Sequence, residues 1–212
     1  MIHPQPFPPL PNDAIASYDW QDLAEGTGNI KYYFFKSQDT SAEDEHIGTE
    51  ELYSSSITTN GATGTDFDLD FDLSAYNSSR TLRGTAIFQG TLRIYGGAAG
   101  STGYLNVKIR KVSGTETEIA SGQSQTVTCG ASGYDWRIVC VPIVIPQTHF
   151  KKGDTLRITV IGHVEGSEAA ESWFGHDPQN RDGAANTIIP SVDSPPSINK
   201  SFIVIPYSIE DR

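Results

Sequence analysis

The chain predicts an all-β protein: a two-sheet antiparallel β-sandwich of jelly-roll type, preceded by an extended Pro-rich N-terminal arm. Three observations carry this. Apolar and polar residues alternate with period two in several runs, most sharply at Thr65–Leu73 and Tyr104–Val112. Twenty glycines and many Ser and Thr residues punctuate those runs with turn signals. No stretch holds a helical period for long, and no repeat recurs at a fixed spacing. Eight to ten strands with long late connections favour a jelly roll among sandwiches.

Residues 1–20 form the predicted arm, and 21–212 a single domain with a long connection at 162–199. Five prolines fall within residues 1–12, and proline supplies no amide for a sheet ladder. Phe7 and Leu10 lie among them, side chains that a free tail has little use for. Ser17–Gly28 reads as a capped turn with about one helical turn before Gly26, and Ile30–Phe35 as an aromatic strand. The acidic run 36–49 reads as a loop, and Glu51–Thr58 as a strand. In Thr65–Leu73, Phe67, Leu69, Phe71 and Leu73 point inward while Asp66, Asp68, Asp70 and Asp72 point outward. Arg80–Val112 reads as one long hairpin, its arms Ala86–Tyr95 and Tyr104–Val112 joined by the glycine-rich Gly96–Gly103. Thr115–Ala120 and Gln125–Cys129 follow as strands. Trp136–Pro146 is apolar on both parities, which predicts burial on both sides or a bulge, with Pro142 where no ladder bond is needed. The turn Phe150–Asp154 leads into Thr155–Ile161, and Ser201–Tyr207 closes the domain.

The net charge of −11 is unevenly placed. Residues 1–80 carry fourteen acids against three bases, and residues 81–212 twelve of each. Without a basic surface, nucleic acid is an improbable partner. No window reads as a membrane span, and no charged-then-apolar leader opens the chain. Cys129 and Cys140 would either meet across a hairpin as a disulfide or stay as free thiols; no CxxC or His/Cys cluster suggests a metal.

Two groups of residues invite chemistry. The Asp66, Asp68, Asp70 and Asp72 ladder offers hard oxygen ligands for Ca²⁺, the one cofactor considered. Carboxylates on a straight strand splay apart, however, so a solvated strand face is the simpler reading. The second group surrounds Trp173-Phe174-Gly175-His176-Asp177-Pro178. Glu171 and Asp177 could flank a glycosidic bond with Trp173 stacked on a sugar. Equally, Asp177-Pro178 opens a turn that His176 satisfies. No nucleophile elbow, zinc-protease helix motif, phosphate loop or dinucleotide fingerprint is present.

Tyr18–Gly28, Phe150–Arg157, Gly175-His176-Asp177-Pro178 and Phe202–Tyr207 together resemble stretches in small structural proteins of tailed phages and archaeal viruses. That resemblance implies a capsid decoration (cement) protein or a jelly-roll capsid subunit, not an enzyme. Its partners would be a major capsid protein or other virion subunits, its state a homo-oligomer with a trimer favoured, and its location the virion. Neither nucleic acid nor membrane would be a partner. Phe7, Leu10, Trp20 and Trp173 would be contact residues. The alternatives are a carbohydrate- or receptor-binding sandwich and, behind it, a glycoside-acting enzyme.

Overall fold

The computed structural model describes residues 28–36, 45–50, 58–62, 67–96, 100–129, 133–166, 170–176 and 200–208. Among them are twelve strands and no helix. They are β1 (Asn29–Lys36), β2 (Glu45–Gly48), β3 (Thr58–Ala62), β4 (Phe67–Asp72), β5 (Arg80–Gly96) and β6 (Thr102–Ser113). β7 (Thr115–Gln123), β8 (Val127–Thr128), β9 (Gly133–Phe150), β10 (Thr155–Glu165), β11 (Glu171–Gly175) and β12 (Phe202–Ser208) complete the set. The all-β class is as the alternation predicts. The predicted arm, the capped turn before residue 28 and most of Glu51–Thr58 lie outside the described residues, and so do Phe7, Leu10, Trp20, Asp66 and Asp177.

All twelve strands belong to one mixed sheet, ordered β3-β11-β5-β12-β1-β2-β4-β10-β6-β7. β9 runs along the second edge of β5, and β8 pairs β6. Pairing is antiparallel except for a single parallel bridge between β2 and β4, His46 opposite Asp72. The path curls back on itself. A Cβ on Gly90 of β5 would sit 3.2 Å from Leu105 of β6, and one on Gly122 of β7 would sit 2.7 Å from Val141 of β9. Neither β5 and β6 nor β7 and β9 share ladder bonds, so these strands meet face to face across the core.

That arrangement corrects the predicted hairpin. Both of its arms exist, as β5 and β6, but β5 pairs β9, β11 and β12 while β6 pairs β10, β7 and β8. Each arm is apolar on one face, and the glycine-rich connection lets the two apolar faces oppose each other instead of lying edge to edge. The genuine tight hairpin is β6–β7, turning at Gly114, whose φ of 72° suits glycine. The register of β12 on β5 shifts between Val204 and Tyr207, and there Pro206 lies against Gly84 (φ 124°), where a Cβ would come within 3.3 Å of its ring.

Two further expectations need adjusting; for Trp136–Pro146 the second of the two predicted alternatives holds, since the register with β5 shifts between Ile145 and Thr148. From Arg137 onward β9 is not buried on both faces: Val139, Val141, Ile143 and Ile145 are buried, while Ile138 and Val144 are 42% and 74% exposed. Among the described strands β9 pairs only β5, which leaves one edge without ladder bonds and tolerates Pro142. The predicted 162–199 connection is interrupted by structure, since β10 continues to Glu165 and β11 follows at Glu171. β2 likewise occupies part of the predicted acidic loop.

The core is aromatic at its centre. Phe34 of β1 meets Phe71 (4.9 Å), Phe88 (5.6 Å) and Phe174 (5.8 Å) in edge-to-face geometry, and all four rings are fully buried. Such pairs add about 0.5–1.5 kcal/mol each beyond the area they bury. They tie β1, β4, β5 and β11 together, which fixes the position of the surface described next.

Candidate functional site

β11 is short and wedged between β3 and β5. Its alternation sends Ser172 and Phe174 into the core and leaves Glu171 and Trp173 on the outer face. In register, Trp173 lies opposite Arg93 and Glu171 opposite Tyr95. The Trp173 Nε1–H donates to Glu171 Oε2 at 3.0 Å, and the Arg93 guanidinium carbon lies 4.4 Å from the indole centroid. Arg93 is only 5% exposed, so this cation–π contact is largely desolvated and stronger than a surface one. The three side chains present a cation, an aromatic face and an acid within one patch. Trp173 is therefore not a bare stacking platform, because Arg93 already covers its ring.

His176 follows the same strand directly and is fully buried, 6.3 Å from the Phe71 ring and 6.2 Å from that of Phe174. Beside it, Ser201 Oγ donates to the Gly175 carbonyl and accepts the Thr91 amide at 3.0 Å, pinning β12 to β11 and β5. Ser172 Oγ is buried with no hydrogen-bond partner among the described residues.

The aspartate ladder is bound to arginine. Arg157 of β10 grips Asp72 with two bonds, Nε to Oδ1 and Nη2 to Oδ2, both 2.7 Å. Its Nη1 also reaches Asp70 and Glu116, each at 3.1 Å. Arg110 adds a pair to Glu116 and a 3.8 Å approach to Asp70, whose other contact is Thr159 Oγ1 at 2.5 Å. These carboxylates hold the Arg157 guanidinium still more firmly protonated, Asp72 most of all. Asp68 is exposed. No group of three or more His, Cys, Asp or Glu among the described residues is arranged to hold a metal ion. The predicted calcium ligands Asp70 and Asp72 face a guanidinium fork whose geometry suits a carboxylate better than a cation site would.

Two polar groups escaped the sequence reading. Tyr207 shares 2.8 Å hydrogen bonds with both Tyr32 and Tyr76, and burial, then the two neighbouring phenols, push its hydroxyl well above the usual phenol range. Asp154, in the turn after β9, is held down to about 2 by the Ser113 hydroxyl, the Lys151 amide and Lys111. Period-two parity marks Tyr32 and Tyr207 as inward, but nothing in sequence says that they meet. Arg93 had a legible signal, an arginine flanked by Leu92 and Ile94 in a strand. The two cysteines are not joined by a disulfide: Cys129 is buried, Cys140 is exposed, and β9 pairs β5 instead of β8.

No family model matches this chain, and no curated protein does. Solved structures do match. A CocE/NonD family hydrolase from Staphylococcus aureus aligns over 85% of this chain and 37% of its own, at 10% identity and a TM-score of 0.53. An α-amino acid ester hydrolase aligns over 85% and 36%, at 7% identity and a TM-score of 0.57. An aminopeptidase from the marine sediment archaeon Thaumarchaeota archaeon aligns over 83% and 36%, at 8% identity and a TM-score of 0.53. At such identities the likeness establishes the fold, and the chain spans little more than a third of each hydrolase. The finding overturns the expectation of a virion structural protein with no enzymatic character, since the three structures aligned above are two hydrolases and an aminopeptidase.

Proposed function

We propose that the curled sheet is a jelly-roll-type sandwich that works in the hydrolysis of carboxylic ester or amide bonds, as the β-rich part of a larger hydrolase. One observation carries this reading: four-fifths or more of the chain shares its fold with hydrolases of which it spans 36–37%. The patch on β5 and β11 is the substrate-facing surface in this proposal. An α-aminoacyl group suits it, with Glu171 taking the ammonium and the edge of Trp173 the side chain, while Arg93 holds the indole in place from behind.

The experiment titrates the full chain with α-amino acid methyl esters, following tryptophan fluorescence and ligand NMR. Aminoacyl anilides serve as the amide counterpart. Saturable binding that is lost in Trp173→Ala and in Glu171→Gln is expected. Failure of the folded chain to bind any of these esters or anilides would overturn the proposal.

A further inference from the structure

Among the described residues the core holds two buried tyrosines, Tyr32 of β1 and Tyr207 of β12, and their hydroxyls meet at 2.8 Å. A third, Tyr76, stands in the connection between β4 and β5 and extends the row, its hydroxyl 2.8 Å from that of Tyr207. The row has an outer and an inner end. Tyr76 is half-buried, whereas Tyr32 and Tyr207 are 4% and 6% exposed. Tyr76 is also fixed in place. Its amide donates to the Asp154 carbonyl at 2.9 Å, its carbonyl accepts the Gly153 amide at 2.8 Å, and its ring stands edge-on to Phe150 at 5.4 Å. The five largest fully buried side chains are all phenylalanine, so the core fills its aromatic volume elsewhere without a hydroxyl. Three phenols in a row are more than packing calls for, since each buried hydroxyl has to be offset by a hydrogen bond.

We propose that Tyr76, Tyr207 and Tyr32 form a relay that carries one oxidising equivalent from the surface into the core by hydrogen-atom transfer. The co-reactant is a one-electron oxidant, an oxidising radical in solution. It takes an electron from Tyr76, whose phenolic proton goes to water, and a neutral phenoxyl remains. The Tyr207 O–H bond then breaks and a Tyr76 O–H bond forms across 2.8 Å, proton and electron moving together. The same exchange between Tyr207 and Tyr32 leaves the phenoxyl on Tyr32. The oxidant has gained one electron, solvent one proton, and Tyr76 and Tyr207 are phenols again. Either hydroxyl of each pair can donate, so the row can point outward before the exchange and inward after it. Each step turns a phenol and a phenoxyl into a phenoxyl and a phenol, so no difference in bond type opposes it. No charge enters the core at any stage. That matters because burial, with the two neighbouring phenols, holds the Tyr207 hydroxyl protonated well above the usual phenol range. The Tyr32 phenoxyl accepts a hydrogen bond from Tyr207 and is shielded from solvent. This redox activity is separate from the hydrolase proposal and uses none of its residues.

The experiment generates azidyl radicals in a solution of the full chain by pulse radiolysis and follows the tyrosyl absorbance, with ascorbate as the reductant. Exposed tyrosyls decay fast. The wild type should show a second, slow tyrosyl phase that ascorbate quenches poorly. Tyr76→Phe removes the entrance and Tyr207→Phe the link, so the slow phase should vanish in both. It should survive in Tyr104→Phe, a tyrosine outside the row. Melting curves establish that each variant is folded, and Tyr76→Phe, which keeps its ring against Phe150, decides the matter if Tyr207→Phe does not fold. A wild type without a slow phase would overturn the proposal. So would a slow phase that persists in Tyr76→Phe, or one that disappears in Tyr104→Phe, because the shielded radical would then not have travelled along the row.

Discussion

Replacing Gly122 by alanine probes the curl of the sheet through its sign. Glycine weakens a strand by about 0.5–1 kcal/mol relative to alanine, so on an open strand the substitution would stabilise the protein. Here the new methyl would stand 2.7 Å from Val141 Cγ1, 3.0 Å from Ile143 Cγ1 and 3.3 Å from the Pro142 carbonyl oxygen. Ordinary contact begins near 3.4 Å. Val141 must therefore retreat by roughly 0.7 Å, a distance over which the contact turns repulsive. Val141 and Ile143 are each 1% exposed and β-branched, so neither can swing away cheaply. Overpacking of this kind costs about 1–3 kcal/mol, which outweighs the gain in propensity and leaves a net loss of about 1 kcal/mol. For a chain of this size that is a fall in Tm of about 2–4 °C, read by thermal melting and by the urea midpoint. Val141→Ala should make room, so the double variant should be more stable than the sum of the single changes by about 1 kcal/mol. A Gly122→Ala protein that melts higher than wild type would show that β7 does not rest on β9.

Other substitutions test the polar groups. Tyr207→Phe removes two hydrogen bonds at once and should cost about 1–3 kcal/mol in urea unfolding, with no change in the far-UV spectrum. Arg157→Met leaves Asp70, Asp72 and Glu116 facing one another. Because these carboxylates are about a third exposed, the loss should be about 1 kcal/mol in low salt and should shrink in 1 M salt. Asp154 has a folded-state value of about 2, below that of an unfolded aspartate, so its contribution is complete above about pH 4 and fades as pH falls toward 2. Melting curves across that window should show Asp154→Asn losing part of the acid sensitivity of the wild type.

Alternation made strand identity legible, because a period of two needs only neighbouring residues. β4, β10 and β12 lie where Phe67–Phe71, Leu156–Val160 and Ile203–Ile205 place them. Pairing was not legible. Ile87 and Leu105 look like partners in a hairpin, yet a short glycine-rich connection serves equally well to turn one apolar face onto another. β9 misled for a different reason: exposed Ile138 and Val144 look like core residues to any reading based on hydrophobicity. The candidate site was half visible. Trp173 and Glu171 stood out as chemistry-bearing residues, but their meeting with Arg93 depends on a register spanning nearly eighty residues of chain. The Asp70–Arg157 contact is of the same kind, with partners 87 residues apart in sequence.

The place of β12 bears on how the molecule is made. Its seven residues lie between β5 and β1, so the last described strand is bonded directly to the first, and Tyr32 meets Tyr207 across 175 positions. A ribosome adding about 5–20 residues per second needs roughly 10–35 s to travel that far. Throughout that interval β1, and from its own synthesis onward β5, expose an edge that β12 will occupy. The nascent chain is then most open to wrong strand partners and has most need of a chaperone. A stop codon shortly before residue 202 would not trim a margin of the sheet. It would remove the strand that joins its two halves.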